Sequence, residues 1–133
     1  SKKIFDVLDK MKIKGIQLIP SVITGKNNKI YENYWYIHII NRYPALDREK
    51  SIYEWDDFIK VASPLEKVVL NEEYLRTIPL EERLVFYLAE NGVEQLFHKS
   101  VVEAIMTVNP EGVRFINVKD WNTGSPFEDE EEY

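Results

Sequence analysis

The pair Asn91-Gly92 stands between two β-prone runs, LVFYLA (84–89) and VEQLFH (93–98). Asn-Gly readily takes the positive φ angles of turns whose twist matches that of the flanking strands, so it predicts an antiparallel hairpin over Leu84 to His98. The chain that follows extends the pattern. Ser100 with Glu103 three residues later reads as a capping box, and Val101, Val102, Ala104, Ile105 and Val108 give one apolar face, which predicts a helix over about 100–108. Pro110 and Gly112 end it, and Val113, Phe115, Ile116 and Val118 predict a last strand.

Upstream, Ile4, Phe5, Val7, Leu8 and Met11 recur at helical spacing and predict a short amphipathic helix ending before Gly15. GIQLIPSVIT (15–24) and YENYWYIHIIN (31–41) flank a turn-rich GKNNK and predict an antiparallel pair, with Pro20 at a bulge or an edge because it has no N–H for a ladder. Strand alternation puts Tyr34 and Tyr36 on one face and Trp35 on the other. Extended pieces are expected near Ser51–Trp55 and Lys67–Leu70, with one helical turn at Ser63-Pro-Leu-Glu66.

The expected fold is therefore a single α+β domain. It has a mainly antiparallel sheet, a short N-terminal helix, and one helix between the last strands. Residues 1–14 form the N-terminal helix, 15–121 the main domain, and 122–133 an acidic tail, expected to be disordered because its composition offers too little apolar area to offset ordering.

Charge narrows the partner class. Of the net −6, residues 1–14 hold +3 and Glu128–Glu132 hold −5, so the remaining body carries −4. Nucleic-acid backbones need clustered Lys and Arg, so an acidic body disfavours them and favours a partner with a basic surface. No apolar run approaches the roughly 18 residues of a membrane span, and SKKIFDVLDKMK has no apolar signal region. With no cysteine in its 133 residues, the chain fits a reducing compartment, and the cytoplasm is the expected location.

Catalytic signatures are sparse. His38 lies in the apolar run YWYIHII and reads as a core or edge residue, while His98 beside Ser100 reads as a surface residue; neither has a ligand at metal spacing. There is no G-x-S-x-G elbow and no glycine-rich phosphate loop, so no cofactor is expected. Carboxylate pairs occur at Asp56-Asp57, Glu72-Glu73 and Glu81-Glu82, but neighbours on a strand point apart and such pairs usually mark a solvated face. Aromatic residues make up 13% of the chain and gather in YENYWYIHIINRY, where the richness in Tyr and Trp fits either cross-strand packing or a protein-binding surface.

The order of these pieces resembles the immunity proteins of bacterial polymorphic toxin systems, the Imm11 or DUF1629 family. The resemblance rests on the G-apolar-apolar-P strand, the aromatic strand leading to LD-x-x-x-S at Asp47 and Ser51, the LVF strand with its short hairpin, and the closing G-x-x-F element. It covers about residues 15–121, and only a Lys-rich helix precedes it where relatives have a longer N-terminal part. It implies a non-enzymatic protein that binds and neutralises one cognate toxin by steric occlusion, with the oxygens of Asp47 and Ser51 tying a local turn. Glu32, Tyr34, Tyr36, Trp55, Asp56, Asp57, Glu72 and Glu73 are the candidate partner-binding residues. A carboxylate-dependent hydrolase or a generic peptide- or ligand-binding module are the competing readings.

Overall fold

The computed structural model describes Ser1–Ser125; the acidic run Glu128–Glu132 lies outside the described residues. The elements are α1 (Lys2–Met11), β1 (Ile16–Thr24), β2 (Ile30–Ile39), β3 (Arg42–Tyr43), β4 (Ile52–Asp56), β5 (Val61–Lys67), α2 (Glu72–Arg76), β6 (Val85–Leu88), β7 (Gln95–Phe97) and α3 (Lys99–Met106), with single 3-10 turns at Lys26–Asn28 and Leu80–Glu82. The fold is α+β and a single domain. Its strands divide among a β1-β2 hairpin, a β4-β5 hairpin and a three-stranded sheet ordered β3-β6-β7, in which β3 runs parallel to β6 and β7 antiparallel to it.

Two apolar clusters hold these pieces together. One contains Leu8 and Ile13 from the N-terminal segment, Ile39, Val85, Val101 and Ile105. The other contains Ala45, Leu46, Ala62, Leu65, Val68, Leu75, Phe86 and Leu88. Strand β6 joins them because its alternating side chains feed opposite sides: Val85 enters the first cluster, Phe86 and Leu88 the second. The apolar stripe of α1 lies on β2 and α3, and the Phe5 ring stacks on Trp35 with centroids 4.2 Å apart. Gly15 makes the turn from α1 into β1 possible. It sits at φ +81°, and a Cβ there would lie 1.9 Å from the Asn41 side-chain nitrogen. Only glycine fits both demands.

The β1-β2 pair forms as the pattern predicts, with Ile16 opposite Ile39, Leu18 opposite Ile37 and Pro20 opposite Trp35; the register breaks between Ser21 and Ile23, one residue past Pro20. The β6-β7 hairpin also forms, but Asn91-Gly92 sits in a longer loop rather than a two-residue turn. Gly92 takes φ +70°, and the Asn91 side-chain oxygen accepts the amides of Val93 (2.7 Å) and Glu94 (3.1 Å).

Three local expectations are corrected. Ser63–Glu66 lies inside β5 rather than in a helical turn, because Ala62 and Leu65 both face the second core cluster and the strand pairs with β4 on either side of them. The helix near residue 100 starts one residue earlier than expected: His98 is its N-cap, and its Nδ1 accepts the Ser100 amide at 3.2 Å. The Ser100 hydroxyl bonds that same nitrogen, and Glu103 pairs with Lys99 instead of reaching back.

The last correction concerns Val113–Val118, which belongs to no sheet and runs into a turn at Val118, so α3 is not followed by a strand. Phe115 packs in the first cluster, edge-on to Phe97, while Val118 and Trp121 pack in the second. A segment divided between two cores cannot follow one strand edge. The folded part also runs past Trp121: Ser125 is buried, its hydroxyl accepts the Asn122 amide, its carbonyl accepts from Arg114, and the Thr123 hydroxyl reaches the Leu65 carbonyl.

Candidate functional site

The β1-β2 hairpin has two faces of different fate. Leu18, Trp35, Ile37 and Ile39 point inward under α1, whereas Gln17, Ile19, Tyr34, Tyr36 and His38 line the outer face. Across that outer face Ile19 opposes Tyr36, Gln17 opposes His38 and Ser21 opposes Tyr34. No further strand pairs with either β1 or β2 among the described residues. Tyr36 is 56% exposed and Ile19 44%, and the exposure continues to the far end of the hairpin through Val22, Ile23, Ile30 and Tyr31. Several large exposed apolar side chains on one hairpin are the kind of surface feature that marks an interaction site.

Glu32 is exposed on the same strand, and cations frame the tip, where the Lys29 ammonium stands 5.0 Å from the centre of the Tyr31 ring. His38 belongs to this outer edge rather than to a core and lies 6.3 Å from Tyr36, ring centre to ring centre. The hairpin thus gathers Glu32, Tyr34 and Tyr36.

The other candidate residues sit on different elements. Trp55 is on β4 with the Arg48 guanidinium 4.7 Å above its ring. The Asp56 carboxylate accepts the amides of Phe58 (2.8 Å) and Ile59 (3.1 Å), so it shapes the β4-β5 turn, and Asp57 pairs with Lys60. Glu72 and Glu73 occupy the first turn of α2 behind its Asn71 cap, where carboxylates complement the helix dipole. Each of these acids has a local structural partner or place. Among the described residues no group of three or more His, Cys, Asp or Glu gathers where it could hold a metal ion.

Asp47 and Ser51 form a tight node. The Asp47 carboxylate accepts the amides of Glu49 and Lys50, and the Ser51 hydroxyl both donates to the Val69 carbonyl (3.1 Å) and accepts the Val69 amide (2.9 Å).

Two features escaped the sequence reading. Phe58 is 95% exposed at the tip of the β4-β5 hairpin beside exposed Ile59, a pair of apolar side chains held out by the Asp56 turn. The signal was present in Asp-Asp-Phe-Ile-Lys, an Asp-led turn with a large apolar residue at its apex. Glu90 is buried in the β6-β7 loop, where its carboxylate accepts the Leu46 amide (3.3 Å) and its carbonyl the Ala62 amide (2.7 Å). Nothing local marks that role, since both partners are distant in sequence.

Among the described residues no helix is long and apolar enough to cross a membrane. No curated protein matches the chain. The model of the Imm11 immunity protein family matches residues 1–120, so the match takes in α1 as well as the region from Gly15 onward on which the resemblance rests.

Proposed function

Because the chain belongs to the Imm11 immunity protein family, we propose that it binds a cognate bacterial toxin and neutralises it by steric occlusion, with the outer face of the β1-β2 hairpin as the covering surface. One observation carries the choice of surface: Ile19, Tyr34 and Tyr36 form an exposed apolar and aromatic row on a sheet face to which no other strand is added among the described residues. Tyr in particular supplies a large rigid contact area with a polar tip, which is why it recurs in binding hot spots.

Occlusion needs a stable scaffold and a complementary surface rather than a catalytic group. The exposed acids Glu32, Asp57, Glu72 and Glu73 then serve mainly to steer a toxin with a basic surface, an attraction that speeds encounter and is screened by salt. The proposed site of action is the cytoplasm, with neither nucleic acid nor membrane as a partner.

The test is the double variant Tyr34→Ala, Tyr36→Ala, measured for toxin affinity and for melting temperature. Outer-face truncation is expected to leave the fold nearly as stable, while affinity falls at least about tenfold, the equivalent of 1.4 kcal/mol. Unchanged affinity in a folded variant would move the binding surface elsewhere.

A further inference from the structure

A groove of about 850 Å³ lies beside β7; Leu96 and Phe97 line it together with Phe115, Ile116 and Val118 and with Val102 and Ile105 of α3. That volume lies in the range of built ligand sites. Two of its lining segments carry unused main-chain groups. The Leu88 amide donates to the Glu94 carbonyl and the His98 amide to the Leu84 carbonyl, so the even-numbered residues of β7 face β6 and the amides and carbonyls of Gln95 and Phe97 face away from it. Near them, Val113–Asn117 lies outside any helix or ladder, and neither Phe115 nor Ile116 has a main-chain hydrogen bond.

One charged group in the groove is incompletely met. Glu94 lines it with one carboxylate oxygen buried and without a hydrogen-bond partner. Burial raises its pKa above the ordinary carboxylate value, partly opposed by hydrogen bonds from its own amide and from Asn91. Of the cations nearby, Lys99 pairs with Glu103, and Arg114 donates to the Ser125 carbonyl. A donor brought in from outside would complete the Glu94 carboxylate.

We propose that this groove is a second docking site, distinct from the β1-β2 surface, and that it takes an extended segment of a partner protein, added as a strand on the free edge of β7. The main chain of the segment bonds to Gln95 and Phe97, alternate apolar side chains enter between Phe97 and Ile116, and a Lys or Arg of the segment meets Glu94. Edge addition of this kind takes affinity from main-chain bonds and specificity from alternate side chains. The inference does not depend on where the toxin binds.

The probe is a blocked octapeptide, Val-Thr-Val-Lys-Val-Thr-Val-Thr, titrated into the full chain while amide hydrogen exchange is followed residue by residue. The expected result is at least tenfold slower exchange at the Gln95 and Phe97 amides. It should be lost with a peptide N-methylated at every second residue, which cannot donate to a ladder. Replacing the peptide lysine by norleucine should weaken binding several-fold to the wild type but not to Glu94→Gln. The proposal is overturned by absence of protection at millimolar peptide, or by equal binding of the N-methylated peptide. It is also overturned if protection at Gln95 and Phe97 grows with the concentration of the chain alone, since the occupant would then be a second copy.

Discussion

The two long hairpins of this molecule reach similar backbone geometry by different means. The β1-β2 hairpin is held by packing: its inner face, with Trp35, Ile37 and Ile39, lies under the apolar stripe of α1, and its register follows residue alternation up to Ser21. The β4-β5 hairpin has a register broken twice; it buries Ala62 and Leu65 in the second cluster and is in addition pinned by hydrogen bonds to main chain, from Ser51 to Val69 at its base, from Asp56 within its turn, and from the Ala62 amide to the Glu90 carbonyl. A packed hairpin needs only one of its faces and leaves the other free to serve a partner. The second hairpin, packed and pinned through its main chain as well, holds out its tip, which carries Phe58 and Ile59.

The sharpest way to break this comparison is Leu8→Ala. Leu8 is 1% exposed beneath the first hairpin, and removing a buried leucine side chain leaves a cavity as well as losing transfer energy, so a loss of about 2–5 kcal/mol is expected in denaturant unfolding. A loss under about 1 kcal/mol would mean that packing by α1 is not what holds β1 and β2.

Ser51→Ala examines the other hairpin. It removes both bonds to Val69 and leaves a partly buried amide without its acceptor, for an expected cost of about 1–3 kcal/mol. Ser51→Thr, which keeps the hydroxyl, should recover part of that loss. Asp56→Ala is expected to cost least, about 1 kcal/mol or below, because it frees two exposed turn amides that water can satisfy. The tip carrying Phe58 should nevertheless exchange its amide hydrogens faster. If exchange there is unchanged, the carboxylate is not what shapes the turn.

What was legible in the sequence follows the same division. The β1-β2 pair, the opposite facing of Tyr34 and Trp35, and the apolar stripe of α1 all come from period, which each side chain reports locally. The β6-β7 hairpin was marked by Asn91-Gly92, although the loop was longer than that pair alone implies. Where a nonlocal partner decides, the local signal failed. β-branched residues at Val113–Val118 suit a pleated, half-buried surface, but the two cores claim Phe115 and Val118 separately.

At Ser63–Glu66 the helix-start residues were outweighed by the burial of Ala62 and Leu65. Ser100 has the residue type of a cap, yet His98, two residues earlier, supplies the acceptor. Of the candidate site, the tyrosine row was readable from alternation and Phe58 was not singled out. The exposure of Ile19 became evident only when register placed it opposite Tyr36.

The claim that the outer face of the β1-β2 hairpin covers the toxin is tested most directly by covalent tyrosine labelling of the chain, alone and in complex with its cognate toxin. Tyr34 and Tyr36 should be labelled readily in the free chain and strongly protected in the complex, while Tyr53 and Tyr74, which pack against the second core cluster, change little. Equal labelling of Tyr34 and Tyr36 in the free and toxin-bound chain would contradict the account.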